Sequence, residues 1–249
     1  MVRANQLYLL SLGQLLNDNH KPWDMREAQV PAYLIRTGRG RNILIDTGNP
    51  QALIGAATAA PWDPELGVAV RPEDDVVAQL SKVGLRPKDI DLLVSTHFDF
   101  DHCGRHDVFA EAGVPVVVQK SHYDAALANP ERYDPKLWKF DGWNYQFVDG
   151  DTQIEQGIVL IETSGHSIGH QSIYVETASG NVLLPVDAIS RPTIAELREF
   201  PETTEDPVAA NASVDKLMQW ALEYHCYTIF GHEWAQWATL PHSPRAFSR

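Results

Sequence analysis

With 249 residues, 44% of them hydrophobic, the chain carries enough apolar side chain for one sizeable core, and a single domain over residues 1–249 is the expectation. Its formal charge of -13, from 33 acidic against 20 basic residues, repels phosphate backbones and anionic lipid surfaces, which argues against nucleic acid or membrane as partners. No run approaches the roughly 20 apolar residues of a spanning helix, and residues 1–13 lack a cleavage signal; Cys103 and Cys226 then read as free thiols in a cytoplasmic protein.

Short β-rich runs are expected at residues 7–12, 30–36, 42–45, 90–95, 114–118, 158–162, 172–176, 182–186 and 227–230. A helix is expected over residues 72–83, with Val76, Val77, Leu80 and Val83 inward and Gly84 as its stop. A second is expected over residues 206–223, where Asp206 caps, Pro207 suits the first turn, and Val214, Leu217, Met218, Ala221 and Leu222 form the apolar stripe. Hairpin-like strands followed by strands alternating with helices predict an α/β architecture, sheet inside and helices outside. Residues 14–29 and 129–150 fit neither period and read as long loops. The second holds Trp138, Trp143 and Tyr145, candidates for a pocket wall.

The sharpest signal follows the strand at 90–95. In Ser95-Thr96-His97-Phe98-Asp99-Phe100-Asp101-His102, four potential ligands fall within six residues. Extended alternation puts His97, Asp99 and Asp101 on one side, and a turn near Asp101 brings in His102. Ionised aspartates and imidazoles converging in a partly buried place are costly without a cation, and a metal is the simplest partner. Three further strand ends present His166, Asp187 and His232, as expected of a site collected on the loops of a rigid sheet. His106, His170 and Cys103 lie nearby but read as packing or loop residues.

The order of Asp46-Thr47-Gly48, the His-x-Asp-x-Asp-His run, Gly165-His166, Asp187 and Gly231-His232 resembles the metallo-β-lactamase superfamily over nearly the whole chain. The stretch from Gly165 to Ser172, the Asp149-Gly150-Asp151 turn and the chain length resemble its lactonase branch, which includes N-acyl homoserine lactonases and a pyridoxolactonase. The resemblance implies a four-layer αββα sandwich and two divalent metal ions, zinc first, with iron or manganese as alternatives. It places one ion under His97, Asp99 and His166 and the other under Asp101, His102 and His232, with Asp187 bridging and Asp46 behind the ligands. It implies a quorum-quenching type of hydrolase in which a hydroxide shared by the ions opens a small lactone, N-acyl homoserine lactone-like, with Asp101 protonating the leaving oxygen. Homodimers are common in that branch.

Two residues depart from the family pattern. Asp99 stands where the commonest run has histidine, as in the flavodiiron branch, although no flavin-binding domain is present here. Either Asp99 is a ligand, so that three carboxylates and a hydroxide cancel the four charges of two ions, or it does not reach the first metal. A carboxylate ligand tilts preference toward harder ions. Ser190 stands where homoserine lactonases carry a tyrosine, a role Tyr145 or Tyr33 could serve. Alternatives therefore stay open: hydrolysis of another carboxylic ester, a phosphotriester or a thioester, or a non-catalytic metal-containing binding protein.

Overall fold

The computed structural model describes residues 4–16, 28–56 and 67–248. The expected loop at 14–29 lies largely outside them, since residues 17–27 are not described.

A seven-stranded sheet is built from β1 (Gln6–Leu16), β2 (Ala28–Arg36), β3 (Asn42–Ile45), β4 (Gly67–Ala69), β5 (Leu92–Val94), β6 (Val116–Gln119) and β7 (Tyr145–Val148), in the order β4-β1-β2-β3-β5-β6-β7. Its first part is antiparallel, with Leu9 opposite Tyr33 and Tyr33 opposite Ile45, whereas β3, β5, β6 and β7 run parallel. A five-stranded sheet contains β8 (Thr152–Glu155), β9 (Ile158–Glu162), β10 (Gln171–Thr177), β11 (Gly180–Val186) and β12 (Tyr227–Phe230), in the order β12-β11-β10-β9-β8.

Alternation along the strands assigns the faces. Leu7, Leu9, Tyr33, Ile35, Ile43, Ile45, Leu92 and Val94 point from the first sheet into a core shared with Leu160, Ile173, Val175, Val182, Leu184 and Ile229 of the second. The intervening residues Tyr8, Leu10, Leu34, Leu44 and Leu93 face the opposite way, against Val76 and Leu80 of α1 (Val76–Lys82) and Phe109 of α3 (His106–Glu111). On the far side, Ile161, Tyr174 and Leu183 pack under Val214 and Leu217 of α7 (Pro207–Glu223) and Ile194 of α6 (Pro192–Leu197). Helix, sheet, sheet and helix make four layers, as expected, and sheets covered on both faces explain why their strands are apolar at nearly every position.

Local signals hold where they rest on caps. Asp206 accepts hydrogen bonds from the Val208 and Ala209 amides at the start of α7. Asp75 caps α1, so the expected helix at 72–83 is a 3₁₀ turn, Pro72–Asp74, followed by the α-helix. The stripe on α7 is rotated from the expected one: Ala210, Ser213, Val214 and Leu217 are buried, while Met218 and Leu222 are 42% and 75% exposed. The segment 129–150 is not one long loop. It contains α5 (Pro135–Trp138) and the edge strand β7, which the apolar period missed because β7 is half exposed. Strands β4 and β8 were also missed, three and four residues long and weakly patterned.

Candidate metal centre

The expected site residues sit on the connections leaving β3, β5, β9, β11 and β12. After β5 the chain bends at Thr96 and Asp99 and enters α2 (Phe100–Cys103), which carries Asp101 and His102; Asp101 thus lies in a helical turn and not in the expected extended run. Asp187 follows Val186, whose backbone has positive φ at the end of β11. The His166 loop closes over α7 through Gly165, whose φ is +143° and where a Cβ would overlap Ala210 at 2.3 Å. Any other residue there would push the loop, and His166 with it, off the helix.

Three sets of donor atoms lie within 4.8 Å of one another: His97, Asp99 and His166; His97, His102 and Asp187; and Asp101, His102 and His232. Asp99 Oδ2 is 3.0 Å from His166 Nε2 and 3.4 Å from His97 Nε2. Asp187 reaches both ends: one oxygen is 3.3 Å from His102 Nε2 and 3.1 Å from His232 Nε2, and the other is 3.5 Å from His166 Nε2. Asp101 Oδ2 lies 3.5 Å from His102 Nε2 and 3.9 Å from His232 Nε2. Donors at about 2.1 Å from one tetrahedral ion stand roughly 3.4 Å apart, so the spacing suits metal binding.

The ring orientations point the same way. His102 Nδ1 is 2.9 Å from Asp46 Oδ2, and His232 Nδ1 is 2.7 Å from the Gln29 carbonyl. Thr96 Oγ1 gives its proton to Asp46 and so receives one from His97 Nδ1, 3.0 Å away. Each ring therefore keeps its Nε2 lone pair for the centre, and Nε2 of His97 and of His102 are buried with no hydrogen-bond partner among the described residues. A buried nitrogen without a partner is costly, and a cation at this point satisfies both at once. Asp46 holds its position at φ +59°, its other oxygen accepting the Thr96 amide at 2.8 Å.

Protonation differs across the centre. Burial and the neighbouring His102 push His97 down to about 3. Burial works against a charged His102, but Asp101, Asp187 and Asp46 outweigh it and hold this ring well above the usual imidazole range. His232 is likewise raised, burial being outweighed by Asp187 and Asp101. Burial raises Asp101, whereas Asp187, equally buried, is held well below the usual carboxylate range by His232, His102 and His166. A divalent ion would displace the protons these pairs hold.

The model of one protein family, the metallo-beta-lactamase superfamily, matches residues 25–232. The chain belongs to this superfamily. N-acyl homoserine lactonase AiiA of Bacillus thuringiensis subsp. kurstaki is 31% identical over 240 residues, 92% of this chain and 94% of that protein. N-acyl homoserine lactonase AttM of Rhizobium radiobacter is 27% identical over 268 residues, 98% of each chain. A solved structure of an N-acyl homoserine lactone hydrolase, with the product N-hexanoyl-L-homoserine bound at its catalytic metal centre, superposes with a TM-score of 0.86 at 30% identity, over 98% of this chain and 99% of that one.

On this metallo-beta-lactamase frame, of the three aromatics expected to wall a pocket, Trp138 and Trp143 are buried and Tyr145 is partly buried; Trp143 lines a cavity with Phe140 and Asn144 that contains none of the candidate metal ligands. Trp138 is fully buried and stacked on Phe98 with centroids 4.5 Å apart. Trp143 donates to the Val114 carbonyl, and the Tyr145 hydroxyl is bonded to the Trp138 carbonyl. An indole or phenol committed to backbone partners anchors its segment and leaves no polar tip for a ligand. Tyr145 is therefore not free to replace the tyrosine missing at Ser190, and Tyr33 is fully buried beneath the centre. His106 is a core residue between Phe98 and Trp143, Cys103 donates to the Phe98 carbonyl, and His170 accepts the Asp187 amide.

One residue was missed altogether. Arg132, within the expected loop, donates from Nε to Asp99 Oδ1 at 2.9 Å and from Nη2 to Asp99 Oδ2 at 2.8 Å. Burial raises the Asp99 carboxyl, but Arg132 first, then His166 and His97, bring it well below the usual range. Nothing in the spacing of the sequence links positions 33 apart; the only clue was an aspartate where a neutral ligand is usual.

Proposed function

We propose that this chain is a metal-dependent hydrolase that opens a small lactone of the N-acyl homoserine lactone kind. The observation that carries this reading is the set of three donor triads joined by His97 and His102, with Asp187 in the middle one, on a frame that superposes throughout on a lactone hydrolase. His97, Asp99 and His166 would hold one divalent ion, Asp101, His102 and His232 the other, and Asp187 would serve both. Zinc fits a donor set of two imidazoles and carboxylates at each ion, and iron or manganese fits the added carboxylate of Asp99. Such ions make a nucleophile of water near neutral pH and polarise an ester carbonyl.

The chain's own residues supply the rest. Asp46, Thr96 and the Gln29 carbonyl orient the three rings by taking their Nδ1 protons. Asp101 would take up the proton released by the attacking water on a carboxylate oxygen and hand it to the leaving ring oxygen. Among the described residues no helix is long and apolar enough to cross a membrane, and both cysteines are free thiols, which suits a reducing compartment.

The test is a panel of acyl homoserine lactones, other lactones and phosphotriesters, run on metal-loaded protein with and without chelator. Chelator-sensitive opening of a homoserine lactone is expected. Faster turnover of a phosphotriester or another ester would shift the substrate class. No turnover of any ester by protein that holds two ions would leave a metal-containing binding protein.

A further inference from the structure

Arg132 and Asp99 form a planar, two-pronged pair at the edge of the candidate first metal site, their side chains 18% and 19% exposed. This differs from a surface ion pair in three ways. Both guanidinium edges that face the carboxylate are used, one per oxygen. The remaining nitrogen, Nη1, donates to the Thr203 carbonyl at 2.5 Å and lies 3.8 Å from Glu205, so the guanidinium is fixed from behind. Glu205 in turn accepts the Ile168 amide, and its own amide donates to the His166 carbonyl, which ties the same frame to the His166 loop. Finally, Nη2 also stands 3.3 Å from His166 Nε2, so one nitrogen borders two of the three donors of the first site.

We propose that Arg132 is a positioning residue which makes Asp99 a one-oxygen ligand and returns to the first site a positive charge that the aspartate removes. A carboxylate oxygen has two lone-pair directions. The guanidinium takes one on each oxygen, and of the two oxygens Oδ2 is the one within 3.4 Å of both His97 Nε2 and His166 Nε2. Chelation of one ion by both oxygens is thereby disfavoured, and the carboxylate is kept from turning to solvent. The fixed cation beside it offsets the third carboxylate of the centre. A lysine could supply the charge but not the two-pronged alignment.

This inference rests on the proposed two-metal site, and one experiment separates their failures. Metal-free parent protein, Arg132→Gln, Arg132→Lys, Asp99→His and the double variant Asp99→His/Arg132→Gln are titrated with zinc and with manganese by calorimetry, stoichiometry being checked by elemental analysis. The expected result is that Arg132→Gln weakens the less tightly held of two ions by about tenfold or more, as for partners that orient a metal ligand. Arg132→Lys recovers part of that loss, and in the Asp99→His background the same substitution to glutamine has no more than a small effect. Melting of the metal-free forms shows whether each variant is folded; Arg132→Lys carries the test if the glutamine variant is not. Parent protein that takes up no ion overturns the site itself. Two ions in the parent with unchanged affinity in Arg132→Gln, an equal loss in both backgrounds, or tighter binding without Arg132 each overturn this inference alone, the last by showing that the guanidinium competes with the ion.

Discussion

The two halves of the centre are built by different means. Around Asp101, His102 and His232 the supports are buried and short-range: His102 leans on Asp46, itself held by Thr96, and His232 leans on a backbone carbonyl of β2. Around Asp99 and His166 the support is an ion pair at the rim, with Arg132 reaching in from a separate segment. A carboxylate–imidazole pair inside the sheet frame has little room to rearrange, whereas a rim pair depends on the placement of two loops. The Asp99–His166 half should therefore be the more easily tuned or emptied, and the Asp101–His102–His232 half the more costly to disturb.

The largest effects should come from Asp187, which serves both halves, and from His102, which stands in two of the three donor sets. His102→Ala and Asp187→Ala are expected to reduce esterase activity by more than the roughly 10–100-fold typical of losing a partner behind a ligand. The metal-free variants should melt close to the metal-free parent, because these side chains hold charge and not the apolar core. Lactone turnover within a few-fold of the parent in either variant would show that the halves do not share a centre.

Asp46→Asn bears unequally on the halves, because Asp46 takes the His102 proton directly and reaches His97 only through Thr96. It leaves His102 Nδ1 beside a neutral amide and should weaken the ion held by His102 by about 10–100-fold and the other ion less. Equal weakening of both ions, read by elemental analysis during chelator competition, would mean that Asp46 supports the centre as a whole. Protons compete with metal at this half more than at the first, because His102 and His232 are raised and His97 is lowered. As pH falls, the ion held by His102 and His232 should be lost in step with proton uptake, although the rim ion is the more easily removed near neutral pH; loss of the rim ion first in acid would show that rim support and not proton competition sets the order.

Asp99→His bears on the rim. Removing one negative charge should lower the pKa of water at the centre, shift the rising limb of the pH–rate profile to lower pH and turn metal preference toward zinc. An unchanged profile together with unchanged ion affinity would remove Asp99 from the ligand set and leave His97 and His166 as the side chains unique to the first ion.

The smallest effect concerns a histidine at ligand-like spacing that has no carboxylate to support it. His106 is fully buried, neither ring nitrogen has a hydrogen-bond partner among the described residues, and burial lowers it to about 3. Its folded pKa lies below the unfolded value near 6.5, so it contributes stability above that value and loses it progressively as pH falls toward about 3. His106→Leu should change stability at pH 7 by no more than about 1–3 kcal/mol, in either direction. It should also flatten the acid limb by up to about 1.4 kcal/mol per pH unit. Denaturant melts from pH 7 to 4 read this slope, and an acid limb as steep as the parent's would assign the sensitivity to other groups.

Much of this protein is legible from local chemistry. Strands β3, β9 and β12 fall where alternation or short apolar runs place them, because each carries its own pattern, and α7 begins where Asp206 and Pro207 can cap it. The His-x-Asp-x-Asp-His run and the His or Asp at three other strand ends are likewise visible, because strand ends are where a sheet collects a site. Tertiary packing decided what has no local signature. Edge strand β7 exists because β6 offers it a partner, α7 turns its buried face by what lies under it, and Trp138, Trp143 and Tyr145 are committed to backbone carbonyls that only the folded chain brings near. Arg132 belongs to the same class: a cation can be demanded by a lone aspartate among ligands, but which of the chain's cations answers is settled by the three-dimensional approach of two segments 33 residues apart.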